Sequence, residues 1–301
     1  MSDRSGAVDP EWDDGLESHR YVVSAGTRLH YAERGSGPPV VLLHGIPESW
    51  STWRRYIVAL AAAGYQAMAP DLRGYNLSDK PRSVSAYRGA VLAEDVAAII
   101  RAGGHERASV VGQSWGGLAA WLFAMHYPEM LKRLVIMNVP HPSRWVEALR
   151  TWRFWRANSQ MLLFQLPIVP EVMLRARNYA ALRRSFERDL GGTGDVGTEE
   201  YIRAMAQRGA LTGALNYYRA FLRENPFRLG WSLGVIDAPV LVIWGGLDRY
   251  FPVDLAQPPR SYVPNGHIEI VSGARHWAHR DQGELVQALL LDFLKGPGPE
   301  A

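Results

Sequence analysis

The chain of 301 residues has no cysteine. That absence excludes disulfides, thiol nucleophiles and cysteine metal sites, and it suits a reducing compartment. No apolar run approaches the length needed to cross a bilayer. The opening stretch, Met1 to Gly15, is polar and acidic, unlike a signal or transit peptide. The chain therefore reads as cytoplasmic, with no membrane partner. Its formal net charge of +3 is too small to mark a nucleic-acid binder. It has no internal repeat and no low-complexity tract. At 47% hydrophobic and 21% charged, it is ordinary globular material. Its length suits one large α/β domain, or a core with an inserted subdomain.

What is present centres on Gly112-Gln113-Ser114-Trp115-Gly116-Gly117. A β-branched run, Ala108 to Val111, precedes it, and an apolar helical stretch, Leu118 to Tyr127, follows. Strand, G-x-S-x-G, helix is a nucleophile elbow, the strand-to-helix turn of α/β hydrolases. The spacing predicts Ser114 in a strained backbone conformation with its hydroxyl above the sheet edge. It also predicts that side chains at 112 and 116 would collide with the neighbouring strand and helix. The Trp115 N–H, at the helix N-terminus, is then placed to face a developing oxyanion. Taken alone, the motif also describes a glycine-rich turn that happens to hold a serine.

Along the chain, residues 1 to about 18 read as a loose arm. Tyr21-Val22-Val23 and Arg28 to Tyr31 flank Ala25-Gly26, a hairpin signal. Val40 to Leu43 is a doubly buried strand. It runs into His44-Gly45-Ile46-Pro47, where the Ile46 N–H is the second candidate oxyanion donor. His44 reads as a structural histidine bonded to backbone. Asp71 and Arg73 read as braces of a turn. Helices are expected over 53–63, stopped by Gly64, and over 91–100, and Leu134 to Met137 is another strand. From His141 to about Leu233 no clean strand appears. Aromatic and arginine-rich helical segments replace it, with a capped start at Thr198 to Tyr201. The arginines read as solvated faces, with attraction of an acidic substrate or partner as the alternative. Strands resume at Pro239 to Trp244 and Ile268 to Val271. Leu285, Val286, Leu289, Leu290, Phe293 and Leu294 line one side of a closing helix, ended by Gly296-Pro297-Gly298-Pro299.

The expected fold is a doubly wound α/β sheet of about eight mostly parallel strands. Residues 1–140 and 235–301 form the core, and 141–234 form a helical cap over the carboxyl ends of the strands. Ser114, Asp248 and His276 each follow a predicted strand, so they converge at those ends. Ser114 is the nucleophile, His276 the base and Asp248 the group that orients it. His279 and Asp281 are alternatives. His276 is preferred because it follows the strand directly, within a glycine-containing loop.

The stretches His44-Gly45-Ile46-Pro47-Glu48-Ser49-Trp50, Asp71-Leu72-Arg73-Gly74-Tyr75, Trp115-Gly116-Gly117, Asn138-Val139-Pro140-His141-Pro142, Phe164-Gln165-Leu166-Pro167, Asn216-Tyr217-Tyr218-Arg219 and His276-Trp277 together resemble the soluble epoxide hydrolases. The resemblance spans about residues 20 to 295 and includes lid motifs as well as core motifs. It implies an α/β-hydrolase core with a cap, the same Asp248 and His276, and Tyr218 as a cap phenol facing the nucleophile. Four positions depart from the family pattern. Gln113-Ser114 stands where His-Asp is usual, Gln160 where a second cap tyrosine is usual, and Ile46 where phenylalanine is usual.

Those departures change the chemistry. An aspartate that opens an epoxide forms an ester, whose carbonyl water can attack. A serine would form an ether, which has no carbonyl and cannot turn over. Serine suits a substrate that brings its own carbonyl. The sequence therefore reads as a serine hydrolase of carboxylesterase type acting on a small ester or related acyl compound. Tyr218, Gln160 and Gln113 are taken as substrate-contacting residues. No cofactor and no metal are expected, and no oligomeric state is implied. The alternatives are an epoxide hydrolase or a nucleophile-altered variant of one, an acyltransferase or cyclase using the same serine, and a non-enzymatic ligand-binding protein.

Overall fold

Val40, Val41, Leu42 and Leu43 are buried on both sides, and one eight-stranded sheet extends outward from them. A computed structural model describes residues 17–189, 197–224 and 233–296. Most of the N-terminal arm, the last residues after Gly296 and two stretches of the insertion lie outside the described residues. The strands are β1 (Ser18–Ser24), β2 (Thr27–Arg34), β3 (Pro39–Leu43), β4 (Gln66–Pro70), β5 (Ala108–Gln113), β6 (Leu131–Met137), β7 (Val240–Gly245) and β8 (Gly266–Val271). Their order is β1-β2-β4-β3-β5-β6-β7-β8. β1 and β2 form the antiparallel hairpin, turning at Ala25 and Gly26, both at positive φ. β2 pairs antiparallel with β4, and all later pairings are parallel.

Alternation within each strand sorts its side chains into two cores. Val41 and Leu43 pack toward α2 (Gly89–Ala102) and α3 (Ser114–His126), while Val40 and Leu42 face the layer that holds α1 (Arg54–Ala62). α3 is apolar all round and buried along nearly its whole length, as a helix sunk between sheet and insertion must be. Each large apolar side chain sequestered this way contributes about 1.5–3 kcal/mol.

Between β6 and β7 the described residues form helices and no strand. They are α4 (Pro142–Ala148), α5 (Trp152–Asn158), α6 (Gln160–Leu163), α7 (Val169–Asp189), α8 (Gly197–Ala206) and α9 (Ala210–Arg223). α7 is broken by non-helical backbone at residues 176–179. α10 (Ala278–Asp281) and α11 (Gly283–Lys295) complete the chain. The buried stripe of α11 is Val286, Leu290 and Leu294. Leu289 and Phe293 pack partly buried beside that stripe, whereas Leu285, expected with them, is exposed.

Candidate active site

Ser114 stands at the junction of β5 and α3 with φ of 50°, a left-handed conformation that costs a non-glycine residue energy. The glycines around it leave no room for side chains. A Cβ on Gly112 would sit 2.5 Å from the Gly116 carbonyl oxygen, and one on Gly116 would sit 2.4 Å from that of Leu43. The predicted collisions are thus backbone collisions, which no rotamer relieves.

His276 lies on the loop after β8. Its Nδ1–H donates to Asp248 Oδ2 at 2.8 Å, and its Nε2 faces Ser114 Oγ at 3.1 Å. Asp248 lies three residues beyond β7. Its Oδ1 accepts the N–H groups of Tyr250 and Phe251 at 2.8 and 3.1 Å, and its Oδ2 also accepts Asn138 Nδ2 at 2.9 Å. An ionised carboxylate is acceptor-only, so every one of these contacts suits the charged form. With Nδ1 protonated toward Asp248, the free Nε2 lone pair is left for the serine proton. The His276 loop is fixed from two sides. Asp281 Oδ2 accepts the Arg275 N–H at 2.6 Å, and Gln113 Nε2 donates to the His276 carbonyl at 3.0 Å.

Asn138 was not singled out from the residue pattern. It is fully buried, sits directly after β6 at φ of 51°, and bridges the Gly245 N–H to Asp248. An asparagine just past a buried strand, inside a quoted family motif, was the available signal.

Gln113, expected to contact substrate, is fully buried and lies outside the residues that line the cavity. Its position follows from strand parity: in β5 the residue before the elbow points down into the sheet's packing. Among the described residues its Oε1 has no hydrogen-bond partner, and it lies over Gly45, where a Cβ would approach it to 2.1 Å.

The loop from His44 to Glu48 closes the other side. The His44 Nδ1–H donates to the Gly45 carbonyl at 2.8 Å, and Nε2 accepts the Leu72 N–H at 3.0 Å. Burial lowers the pKa of this ring, a neutral structural histidine. The Ile46–Pro47 peptide is cis. Glu48 is buried, accepting Thr52 Oγ1 at 2.8 Å and approaching His279 Nε2 at 3.2 Å. His279 thus packs behind this loop, away from Ser114. Asp71 and Arg73 are braces as expected: Asp71 accepts the Trp50 N–H, and Arg73 pairs with Asp95.

Ser114, His276, Ile46, Trp115, Gln160 and Tyr218 line one cavity of about 960 Å³. The rest of the wall is mainly apolar, with Trp145, Met161, Phe164, Phe251 and Trp277. Tyr218 comes from α9 and packs edge-on to Trp115 at 4.8 Å and Phe164 at 5.0 Å. Burial pushes its phenol pKa up, so it stays a protonated donor. Among the described residues no three metal-ligating side chains are gathered.

The family described as alpha/beta hydrolase fold matches residues 38–282. The chain belongs to the α/β-hydrolase family. As an α/β hydrolase it is an enzyme, and its relatives are epoxide hydrolase-like. The Bacillus subtilis (strain 168) AB hydrolase superfamily protein YfhM is 38% identical, covering 94% of this chain and 99% of that protein. Mus musculus epoxide hydrolase 4 is 35% identical over 94% of this chain and 81% of its own length. The crystal structure of Bacillus megaterium epoxide hydrolase with an inhibitor superposes with a TM-score of 0.84 at 28% identity, over 92% of this chain and 100% of that one.

Proposed function

We propose that this α/β hydrolase is a serine hydrolase of carboxylesterase type, with residues 141–234 acting as its cap. The observation that carries the reading is His276 Nε2 at 3.1 Å from Ser114 Oγ, with Asp248 on the opposite ring nitrogen. Ser114 Oγ attacks the ester carbonyl carbon while His276 takes the hydroxyl proton, and Asp248 stabilises the imidazolium. The tetrahedral oxyanion is stabilised by the backbone N–H groups of Ile46 and Trp115. Collapse expels the alcohol, which receives the proton from His276. Water then attacks the acyl-serine by the same proton route and releases the acid.

A second reading, epoxide hydrolysis, is favoured by Tyr218 in the same cavity and by relatives that carry that name. The ether formed by serine opening an epoxide argues against it, since no carbonyl remains for the oxyanion donors to act on. The deciding experiment is an ester and epoxide panel on wild type and Ser114→Ala. Ester turnover that vanishes in Ser114→Ala, with one organophosphonate adduct per chain at Ser114, supports the esterase. Multiple-turnover diol formation by the unmodified protein would refute it.

A further inference from the structure

The insertion exposes apolar side chains on its outer face. Leu166, Ile168 and Val169 are 47%, 72% and 46% exposed, and Val172 and Met173 are 61% and 52% exposed. Ile168 and Val172 are one helical turn apart, as are Val169 and Met173, so these groups share a face. Met173 also lines the catalytic cavity, which places this face at the cavity's rim.

The face is held out by buried chemistry. Arg219, on α9 beside Tyr218, donates to the carbonyls of Phe164 and Leu166 at 2.9 and 2.8 Å and pairs with buried Glu171 at 2.8 Å. Gln165 Nε2 donates to the Tyr218 carbonyl at 3.2 Å. The polar residues of the loop are therefore pinned inward and its apolar ones point out. Ile168 has φ of 67°, a left-handed backbone that a β-branched residue rarely adopts and that glycine or asparagine would occupy more easily. An exposed isoleucine kept there makes sense when the apolar side chain itself is needed.

Charge indicates the partner. Residues 142–189 hold nine arginines and four carboxylates. Arg175 and Arg177 directly follow the apolar face and are exposed. Arg156 lies over the ring of Trp152, itself 72% exposed, at 5.6 Å. Exposed apolar groups followed directly by arginines form a pattern that lies in the headgroup region of an anionic bilayer. We infer that this face docks on an anionic lipid surface, with the cavity rim turned toward it, so that lipid-dissolved substrates reach Ser114 without crossing bulk water. This is surface docking. No helix among the described residues is long and apolar enough to span a bilayer, and docking of this face departs from the sequence-based expectation of no membrane partner.

The test is co-sedimentation of the full chain with vesicles of phosphatidylcholine alone and of phosphatidylcholine mixed with phosphatidylglycerol, at low and high salt. Binding to the mixed vesicles, weakened by salt, is expected. Ile168→Asp with Val172→Asp should reduce it at least tenfold. Arg175→Ala or Arg177→Ala should reduce it roughly fivefold each. All these variants should keep wild-type turnover of a small water-dissolved ester, and Ser114→Ala should bind vesicles like wild type, so docking and catalysis fail separately. Absence of binding to either vesicle, or binding indifferent to Ile168→Asp with Val172→Asp, overturns the inference. Sedimentation velocity showing a dimer that Ile168→Asp dissociates, without vesicle binding, overturns it in favour of a second copy of the chain.

Discussion

Gln113 donates its carboxamide to the His276 carbonyl at 3.0 Å, so the residue before Ser114 holds the loop that carries His276. The two lie 163 residues apart in sequence. Gln113→Leu keeps the bulk and removes the bond. Losing one buried hydrogen bond of about 1–2 kcal/mol should lower kcat for ester hydrolysis roughly five- to thirtyfold, with KM little changed. Steady-state kinetics beside a melting curve checks this. An equal loss in KM alone would return Gln113 to a substrate-contacting role.

The two histidines separate in the same assay. His276→Ala removes the proton acceptor beside Ser114 and should cost on the order of a thousandfold in turnover. His279→Ala leaves the 3.1 Å Ser114–His276 contact intact and should act mainly through stability. If their effects on kcat are reversed, the assignment of the base is wrong.

Glu48 makes stability depend on acid. Burial alone would raise its carboxyl pKa, but the charge and hydrogen bond of His279, with Arg280 and Thr52, lower it from 4.5 to about 2. A carboxylate depressed on folding stabilises the native state above its unfolded pKa, and that contribution is lost as pH falls through the folded value. Wild-type urea midpoints should therefore fall between about pH 4.5 and 2. Glu48→Gln should be less stable near neutrality and show a smaller fall across that window. Parallel curves for the two proteins would exclude this role.

Gly116 is closed to any side chain. Its Cβ would meet the carbonyl oxygens of Leu43 at 2.4 Å and His44 at 2.5 Å, so Gly116→Ala must move β3 or α3. We expect a loss of about 1–3 kcal/mol in unfolding free energy. Ester activity should fall further than stability, because the same shift moves Ser114 and the Ile46 loop. Denaturant unfolding and turnover on one preparation measure both.

Epoxide chemistry should be recoverable at the nucleophile. Ser114→Asp supplies a carboxylate whose ester with an opened epoxide can be hydrolysed. Alone it should be weak, with Tyr218 as the one phenol from α4–α9 that lines the cavity among the described residues. Adding Gln160→Tyr, at another cavity-lining position, supplies a second donor worth about 1.5–3 kcal/mol, or roughly ten- to a hundredfold in rate. Diol formation from styrene oxide by each single variant and by the double variant checks this.

The elbow, the order Ser114–Asp248–His276 and the sheet were legible in the sequence because each is written in local terms. Glycine spacing reports a turn without Cβ atoms, continuous apolar runs report doubly buried strands, and residues just past such strands gather at one sheet edge. The strand-free run from His141 onward matches the helices that the described residues form between β6 and β7. What only the tertiary structure decided are relations between side chains far apart in the chain. The bridge of Asn138 between β7 and Asp248, the inward turn of Gln113 and the pairing of His279 with Glu48 depend on which faces meet after the layers pack. A local pattern carries strand parity and turn chemistry, but not which distant carbonyl or carboxylate will stand opposite a buried polar group. That is set by register and by the requirement that buried polar groups find partners.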